Sequence, residues 1–175
     1  GGGFVVAWDD WSDGIDVGAQ MISNLGDKLG SEILVNSTKG GAQDGVQIGA
    51  LDDGGFVVTW AENWRDVKYQ TFDANGVRVG PETYANTVLA GDQSGAQITG
   101  LNDGAFVIAW NDGGYGPSDG SGSAVKSQLF ANDKTMTGTA SNDILAGGPG
   151  MDLLKGGPGN DMIDGGAGID TAGFS

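Results

Sequence analysis

Aspartates recur every nine residues towards the end of this chain, at Asp143, Asp152, Asp161 and Asp170. The last three each close a glycine-rich run: Gly147-Gly148-Pro149-Gly150-Met151-Asp152, Gly156-Gly157-Pro158-Gly159-Asn160-Asp161 and Gly165-Gly166-Ala167-Gly168-Ile169-Asp170. The chemistry such a pattern supplies is oxygen coordination. Carboxylates and the carbonyls of tight glycine turns are hard donors, suited to a divalent cation that takes roughly 6 to 8 oxygens at about 2.3 to 2.6 Å. Softer chemistry is excluded by composition, because the chain has no cysteine and no histidine. Thiolate sites, His-Glu-x-x-His zinc proteolysis and a Ser-His-Asp triad are therefore impossible within these residues. Paired-carboxylate glycoside hydrolysis remains formally open among 23 acids, yet no acidic pair breaks the repeat pattern in a way that singles it out.

Each unit reads Gly-Gly-x-Gly-x-Asp-x-apolar-x. Repeated in phase, it resembles the RTX, or hemolysin-type, calcium-binding nonapeptide that builds a parallel β-helix. The resemblance implies that the first six residues turn sharply, with glycine tolerating the positive φ, and that the remaining three form a short strand. Two nonapeptides make one coil, and Ca2+ lies between equivalent turns of stacked coils. The implied ligands are the carboxylates of Asp143, Asp152, Asp161 and Asp170 and the turn backbone at Gly147, Gly148, Gly150, Gly156, Gly157, Gly159, Gly165, Gly166 and Gly168. The first repeat, Gly138-Thr139-Ala140-Ser141-Asn142-Asp143, lacks the second and fourth glycines, so its cage is incomplete by this pattern. Stacking of alternate repeats places Asp143 near Asp161 and Asp152 near Asp170. Leu145, Leu154, Ile163 and Ala172 point inward as a thin core, and Asp164 faces solvent. Without the ion, carboxylate repulsion and glycine entropy oppose order, so calcium binding and folding of this segment are expected to be one event. A mere acidic linker would not keep glycine, aspartate and apolar positions in phase.

A second and longer period precedes this tail. Gly3-Phe4-Val5-Val6-Ala7-Trp8, Gly55-Phe56-Val57-Val58-Thr59-Trp60 and Ala105-Phe106-Val107-Ile108-Ala109-Trp110 are three versions of one segment. Gln20, Gly26, Gly30, Glu32, Asn36 and Gln43 stand fifty positions before Gln70, Gly76, Gly80, Glu82, Asn86 and Gln93. Within one period the pattern predicts four strands, near 46–51, 56–62, 66–72 and 77–84. Asp53-Gly54 and Asn75-Gly76 supply hairpin turns between them. Phe56, Val58 and Trp60 point to one face while Val57 and Thr59 point to the other, so such a sheet needs a neighbour on both sides. These segments resemble the tandem Asp-Gly-Gly-Phe-Val-Val-x-Trp repeats of large secreted bacterial RTX-type proteins.

The expected fold is therefore all-β. Four-stranded, propeller-blade-like antiparallel units of about 50 residues occupy 1–133, incomplete at both ends, and a short parallel β-roll occupies 134–175. About ten blade strands are fewer than a closed propeller needs. A fragment of a longer protein, a ring completed by several copies, and a sandwich all account for that number. The third copy carries an insertion, 113–123, that reads as a hairpin tip or a ligand-contacting loop around Tyr115. Trp8, Trp60 and Trp110 read as core, and Trp11, Trp64 and Tyr115 are the aromatic candidates for stacking on a glycan. Gln43, Gln47, Gln93 and Gln97 are expected to hydrogen-bond loop backbone between blades, or to rim a ligand site.

The formal charge of −15 repels phosphate and anionic lipid and attracts divalent cations, which excludes nucleic acid as a partner. No apolar run reaches the roughly 20 residues that span a bilayer. The reading that follows is a noncatalytic, calcium-stabilised, secreted or cell-surface bacterial module for adhesion or matrix contact, with a glycan or cell-surface protein as partner. The resemblance further implies type I export and folding on meeting calcium outside the cell. Two other readings stand beside it: the noncatalytic part of a type I-secreted enzyme, and a self-associating, calcium-dependent lattice or filament subunit.

Overall fold

The structure, a computed structural model, describes residues 2–11, 16–113, 122–131 and 134–173. It is built from strands, and no helix among the described residues is long and apolar enough to cross a membrane. The fifty-residue period becomes three antiparallel sheets. The first contains β1 (Phe4–Asp10), β2 (Asp16–Ile22) and β3 (Lys28–Leu34). The second is complete, in the order β4 (Gln43–Ala50), β5 (Phe56–Glu62), β6 (Asp66–Phe72) and β7 (Arg78–Tyr84). The third contains β8 (Gln93–Gly100), β9 (Phe106–Asp112) and β10 (Ala124–Phe130). Relative to the second sheet, and among the described residues, the first has no opening strand and the third no closing one. The insertion leaves pairing intact, because Phe106 faces Phe130 as Phe56 faces Phe72. Most of that insertion, including Tyr115, lies outside the described residues.

Alternation along the central strands decides how the sheets meet. Phe56, Val58, Trp60 and Phe72 bury against Val17, Ala19 and Val35 of the first sheet. The opposite face of the second sheet, with Val57, Val67 and Ala85, buries against Ala96, Phe106, Ile108 and Trp110 of the third. Rings reinforce both layers: Phe56 stacks on Phe72 at 4.8 Å, and Phe106 on Phe130 at 4.9 Å.

Buried side-chain amides explain marks of the repeat that hydrophobicity does not. The β2–β3 and β6–β7 ladders shift register beside Gln20 and Gln70. There the glutamine side chains donate to carbonyls of the facing strand, Leu29 for Gln20, and Val79 and Gly80 for Gln70. Asn36 and Asn86 tie the crossovers between sheets. Their Oδ1 atoms accept from the Val17 and Val67 amides at 2.8 Å, and their Nδ2 atoms donate to Asp16 and Asp66. Gln43 and Gln93 are buried and donate to the loop carbonyls of Gly40 and Ala90, while Gln47 and Gln97 donate to Val46 and Ala96.

The turns follow the expected places with one change of detail. Gly54 and Gly76 adopt positive φ, at 86° and 78°, but Asp53 and Asn75 do not. Asp73 instead caps its turn, accepting from the Asn75 and Val77 amides. Two consecutive left-handed residues occur at Asn63 and Trp64, φ 54° and 59°, in the tight β5–β6 turn closed by the Arg65 amide on the Glu62 carbonyl. Trp64 is exposed there and so is Trp11, whereas Trp60 and Trp110 are core and Trp8 is half-buried.

One ion triad sits between the first two sheets. Lys68 Nζ lies 2.7 Å from both Glu62 and Glu82 and 4.8 Å from the Tyr84 ring centre. Glu82 also accepts from Ser37 and Thr38 on the crossover out of the first sheet. Burial pulls the Lys68 pKa down, yet its bonds to Glu62 and Glu82 leave it raised overall. Burial raises Glu82, and the Lys68 and Ser37 bonds outweigh that and bring it to about 2. A carboxyl whose folded pKa lies below its ordinary 4.5 stabilises the fold above that value and loses the contribution as pH falls towards 2. Glu82→Gln should accordingly flatten the fall in melting temperature between pH 4.5 and 2 relative to the unaltered protein, as read by scanning calorimetry.

Candidate metal centre

The nonapeptides coil as two short parallel sheets. On one side β11 (Thr135–Thr137), β13 (Leu153–Lys155) and β15 (Thr171–Gly173) pair in register, and on the other β12 (Ile144–Gly150) pairs with β14 (Met162–Gly168). Every pairing joins residues eighteen apart, so two nonapeptides make one coil. Met136, Leu154 and Ala172 line up on one side and Leu145 and Ile163 on the other. Leu145 and Leu154 are buried and Ile163 is half-buried. Ala172, expected inward, is exposed, because no further coil covers it among the described residues. The strands also depart from a uniform three residues: β12 and β14 run on through their glycines, Gly148 pairing with Gly166 and Gly150 with Gly168.

Two columns of turns result. In one, 138–143 lies over 156–161; in the other, 147–152 lies over 165–170. The aspartates meet as the RTX resemblance implies. The Asp143 amide donates to Asp161 Oδ1 at 3.0 Å, and the Asp152 amide donates to Asp170 Oδ1 at 3.0 Å. Sequence reasoning missed one member of this ladder: the Lys134 amide donates to Asp152 Oδ1 at 2.6 Å. Lys134 and Met136 stand nine residues before Asp143 and Leu145, so the coil begins one nonapeptide earlier than its glycines do. That spacing was the available signal.

With Oδ1 taken by the preceding coil, the second carboxylate oxygen turns towards the first glycine of its own repeat. A Cβ on Gly147 would collide with Asp152 Oδ2 and the Gly165 carbonyl; one on Gly156 would meet the Asp161 carboxylate, and one on Gly165 that of Asp170. In the first column, a Cβ on Gly157 would reach the Thr139 carbonyl at 2.5 Å, and one on Gly159 the Ser141 carbonyl at 2.5 Å. Gly157, Gly159 and Gly166 hold positive φ, at 87°, 145° and 85°. These glycines leave room for a lining of oxygen atoms. The Thr139 and Ser141 carbonyls belong to that lining, and a reading of glycines and aspartates alone passed over them.

The electrostatics ask for a cation. Asp152 is 2% exposed, and its Oδ2 has no hydrogen-bond partner. A carboxylate oxygen removed from water and left unpaired costs several kcal/mol, about the scale on which buried charges recruit counter-ions. Asp143 differs, since Thr139 donates to its Oδ2 through the amide at 2.7 Å and through Oγ1 at 3.1 Å. The threonine in place of the second glycine thus occupies one oxygen of the incomplete repeat. Among the described residues no three acidic side chains converge, so any ion here takes most of its ligands from main-chain carbonyls. An all-oxygen set with few carboxylates suits Ca2+.

Residues 137–172 match the family model of the RTX calcium-binding nonapeptide repeat, in four copies. This segment is an RTX calcium-binding array. RTX repeats bind Ca2+ and occur in secreted bacterial proteins. No curated protein and no solved structure matches the chain. The RTX match begins at the residue that closes β11, and Lys134, which stands where the next aspartate would fall, lies outside it.

Because the methyl of alanine would occupy the space between Asp152 Oδ2 and the Gly165 carbonyl, Gly147→Ala should weaken calcium binding at least about tenfold, or ~1.4 kcal/mol. Isothermal titration calorimetry reads this directly; unchanged affinity would mean that these oxygens do not face the ion.

Proposed function

We propose that this chain is a noncatalytic, extracellular structural or adhesion module whose tail folds on binding calcium. The division is 1–133, a set of blade-like sheets offering contact surface, and 134–175, the calcium roll. The ligands are the carboxylates of Asp143, Asp152, Asp161 and Asp170 with the turn backbone at Gly147, Gly148, Gly150, Gly156, Gly157, Gly159, Gly165, Gly166 and Gly168. The observation that carries the reading is the buried Asp152 Oδ2, which has no protein donor and lies beside Gly147 and the Gly165 carbonyl. An ion between the coils would satisfy that oxygen and offset the repulsion between aspartates eighteen residues apart. Outside the cell, millimolar-type sites of modest charge are sufficient for calcium, which agrees with a cage drawn mainly from carbonyls.

The occurrence of RTX arrays in secreted bacterial proteins supports the extracellular placement. The exposed Trp11 and Trp64 are aromatic groups suited to a glycan or a cell-surface protein, and Trp64 is held on its turn in a left-handed conformation that a tryptophan rarely adopts.

Calcium titration followed by circular dichroism and calorimetry tests the reading. At free calcium one hundred times its dissociation constant, a single site stabilises the ordered roll by about 2.7 kcal/mol. Asp152→Ala and Asp161→Ala should each remove most of the calcium-induced change in the spectrum. A tail equally ordered in chelator and in calcium would overturn the coupling.

A further inference from the structure

The ion triad of the second sheet recurs one unit later with one member changed. Lys126 pairs across from Trp110 as Lys68 does from Trp60, and Asp112 faces Gln93 as Glu62 faces Gln43. Lys126 bonds to Asp112 as Lys68 bonds to Glu62. The crossovers beside them match as well, since Asn36 and Asn86 each donate from Nδ2 to the carbonyl two residues on, Thr38 and Val88, at 3.0 Å. In the first crossover the amides and hydroxyls of Ser37 and Thr38 all donate to Glu82. In the second, Thr87 and Val88 hold the same two positions, and no side chain among the described residues accepts from their amides.

Glu82 stands fourteen positions after Lys68, on β7, and fourteen positions after Lys126 stands Ala140, in the first turn of the roll. Four residues separate β10 from β11, so the chain passes into the roll where the second sheet adds its fourth strand. Between the second and third sheets lies a cavity of about 30 Å³, walled by Asn86, Thr87, Val88, Trp110, Asp112 and Lys126, all of them described residues. Three of these, Thr87, Val88 and Lys126, are the counterparts of the residues that hold the Glu82 carboxylate. Since about 10 to 15 Å³ admits one water, the space admits roughly two oxygen atoms, the number in a carboxylate. The Lys126 side chain is 43% exposed, against 7% for Lys68, so its charge is reachable from solvent.

We propose that this cavity is a binding site for the carboxylate group of a ligand, held by Lys126 and by the amides of Thr87 and Val88. The ammonium and the two amides donate to it, as their counterparts donate to Glu82, and Asp112 keeps its place beside the ammonium as Glu62 does. Charge-assisted bonds of this kind separate a carboxylate from a neutral amide of the same shape. The ligand is a small free carboxylate or a glutamate side chain on an extended peptide, the form in which β7 presents Glu82. No residue of the roll takes part.

The test titrates the whole chain, in saturating calcium, with sodium acetate and with a peptide of the Arg78–Tyr84 sequence, following backbone amide resonances by NMR. The Thr87 and Val88 amides should shift and saturate, while those of Ser37 and Thr38, already bonded to Glu82, should stay in place. Acetamide, and the same peptide carrying Glu82→Gln, should bind at least about tenfold more weakly than their charged partners. Lys126→Met should bring acetate down to the level of acetamide, and Lys126→Arg should restore the difference. A response to acetate assigns the site to free carboxylates, and a response to the peptide alone assigns it to a glutamate carried on a strand. Thr87 and Val88 amides that ignore both probes, or that answer charged and neutral probes equally, would overturn the proposal. That comparison needs no variant of the protein, so it stands even where a Lys126 substitution unfolds the sheet. None of these outcomes bears on the calcium titration, which reads the roll.

Discussion

A carboxylate withdrawn from water must face a cation or a set of donors, and removing one partner of such a buried pair costs about 3 to 5 kcal/mol. This chain meets the requirement in two ways. In the sheets the cation is covalent: Lys68 lies between Glu62 and Glu82, and Lys126 pairs with Asp112 at the matching place one unit later. In the roll the aspartates outnumber any such partner. Asp152 is buried among glycines and carbonyls, and the array binds its cation from solution. The sheets thus meet the requirement with their own side chains, and the roll meets it with an ion taken from solution.

The same difference shows in how each half repeats. Sheets stack through apolar faces, so every unit depends on its neighbours for burial, and stability is a sum of neighbour terms. Coils stack through backbone and carboxylate hydrogen bonds at eighteen-residue intervals, and among the described residues Leu145 and Leu154 are the buried apolar side chains. So small an apolar interior contributes little against the entropy of ordering a glycine-rich backbone.

Much of this architecture was legible in residue order. Strand alternation around Phe56 located β5, and the turn glycines bounded β6 and β7 within a residue or so of where they lie. The eighteen-residue pairing of aspartates followed from the resemblance to RTX repeats, in which two nonapeptides make one coil. What escaped were contacts that involve main-chain atoms, which no side-chain pattern records. The Thr139 and Ser141 carbonyls and the Lys134 amide are of that kind. So is the function of Gln20 and Gln70, visible as repeated letters but intelligible only beside a displaced ladder. Asn63-Trp64 was missed for another reason: both residues are left-handed, and Asn63 is fixed from outside its own hairpin, its amide donating to the Ala42 carbonyl and its Oδ1 accepting from the Ala42 amide.

The constant pairing of Phe with Phe across β5–β6 and β9–β10 has a practical side. Three residues join the first pair of strands and eleven join the second, yet the partners are unchanged. Closing a loop costs only about 0.6 kcal/mol for each doubling of its length, so this difference amounts to roughly 1 kcal/mol. The scaffold therefore accepts foreign peptide at that hairpin with little penalty, which makes it a natural position for grafting an epitope or a recognition sequence.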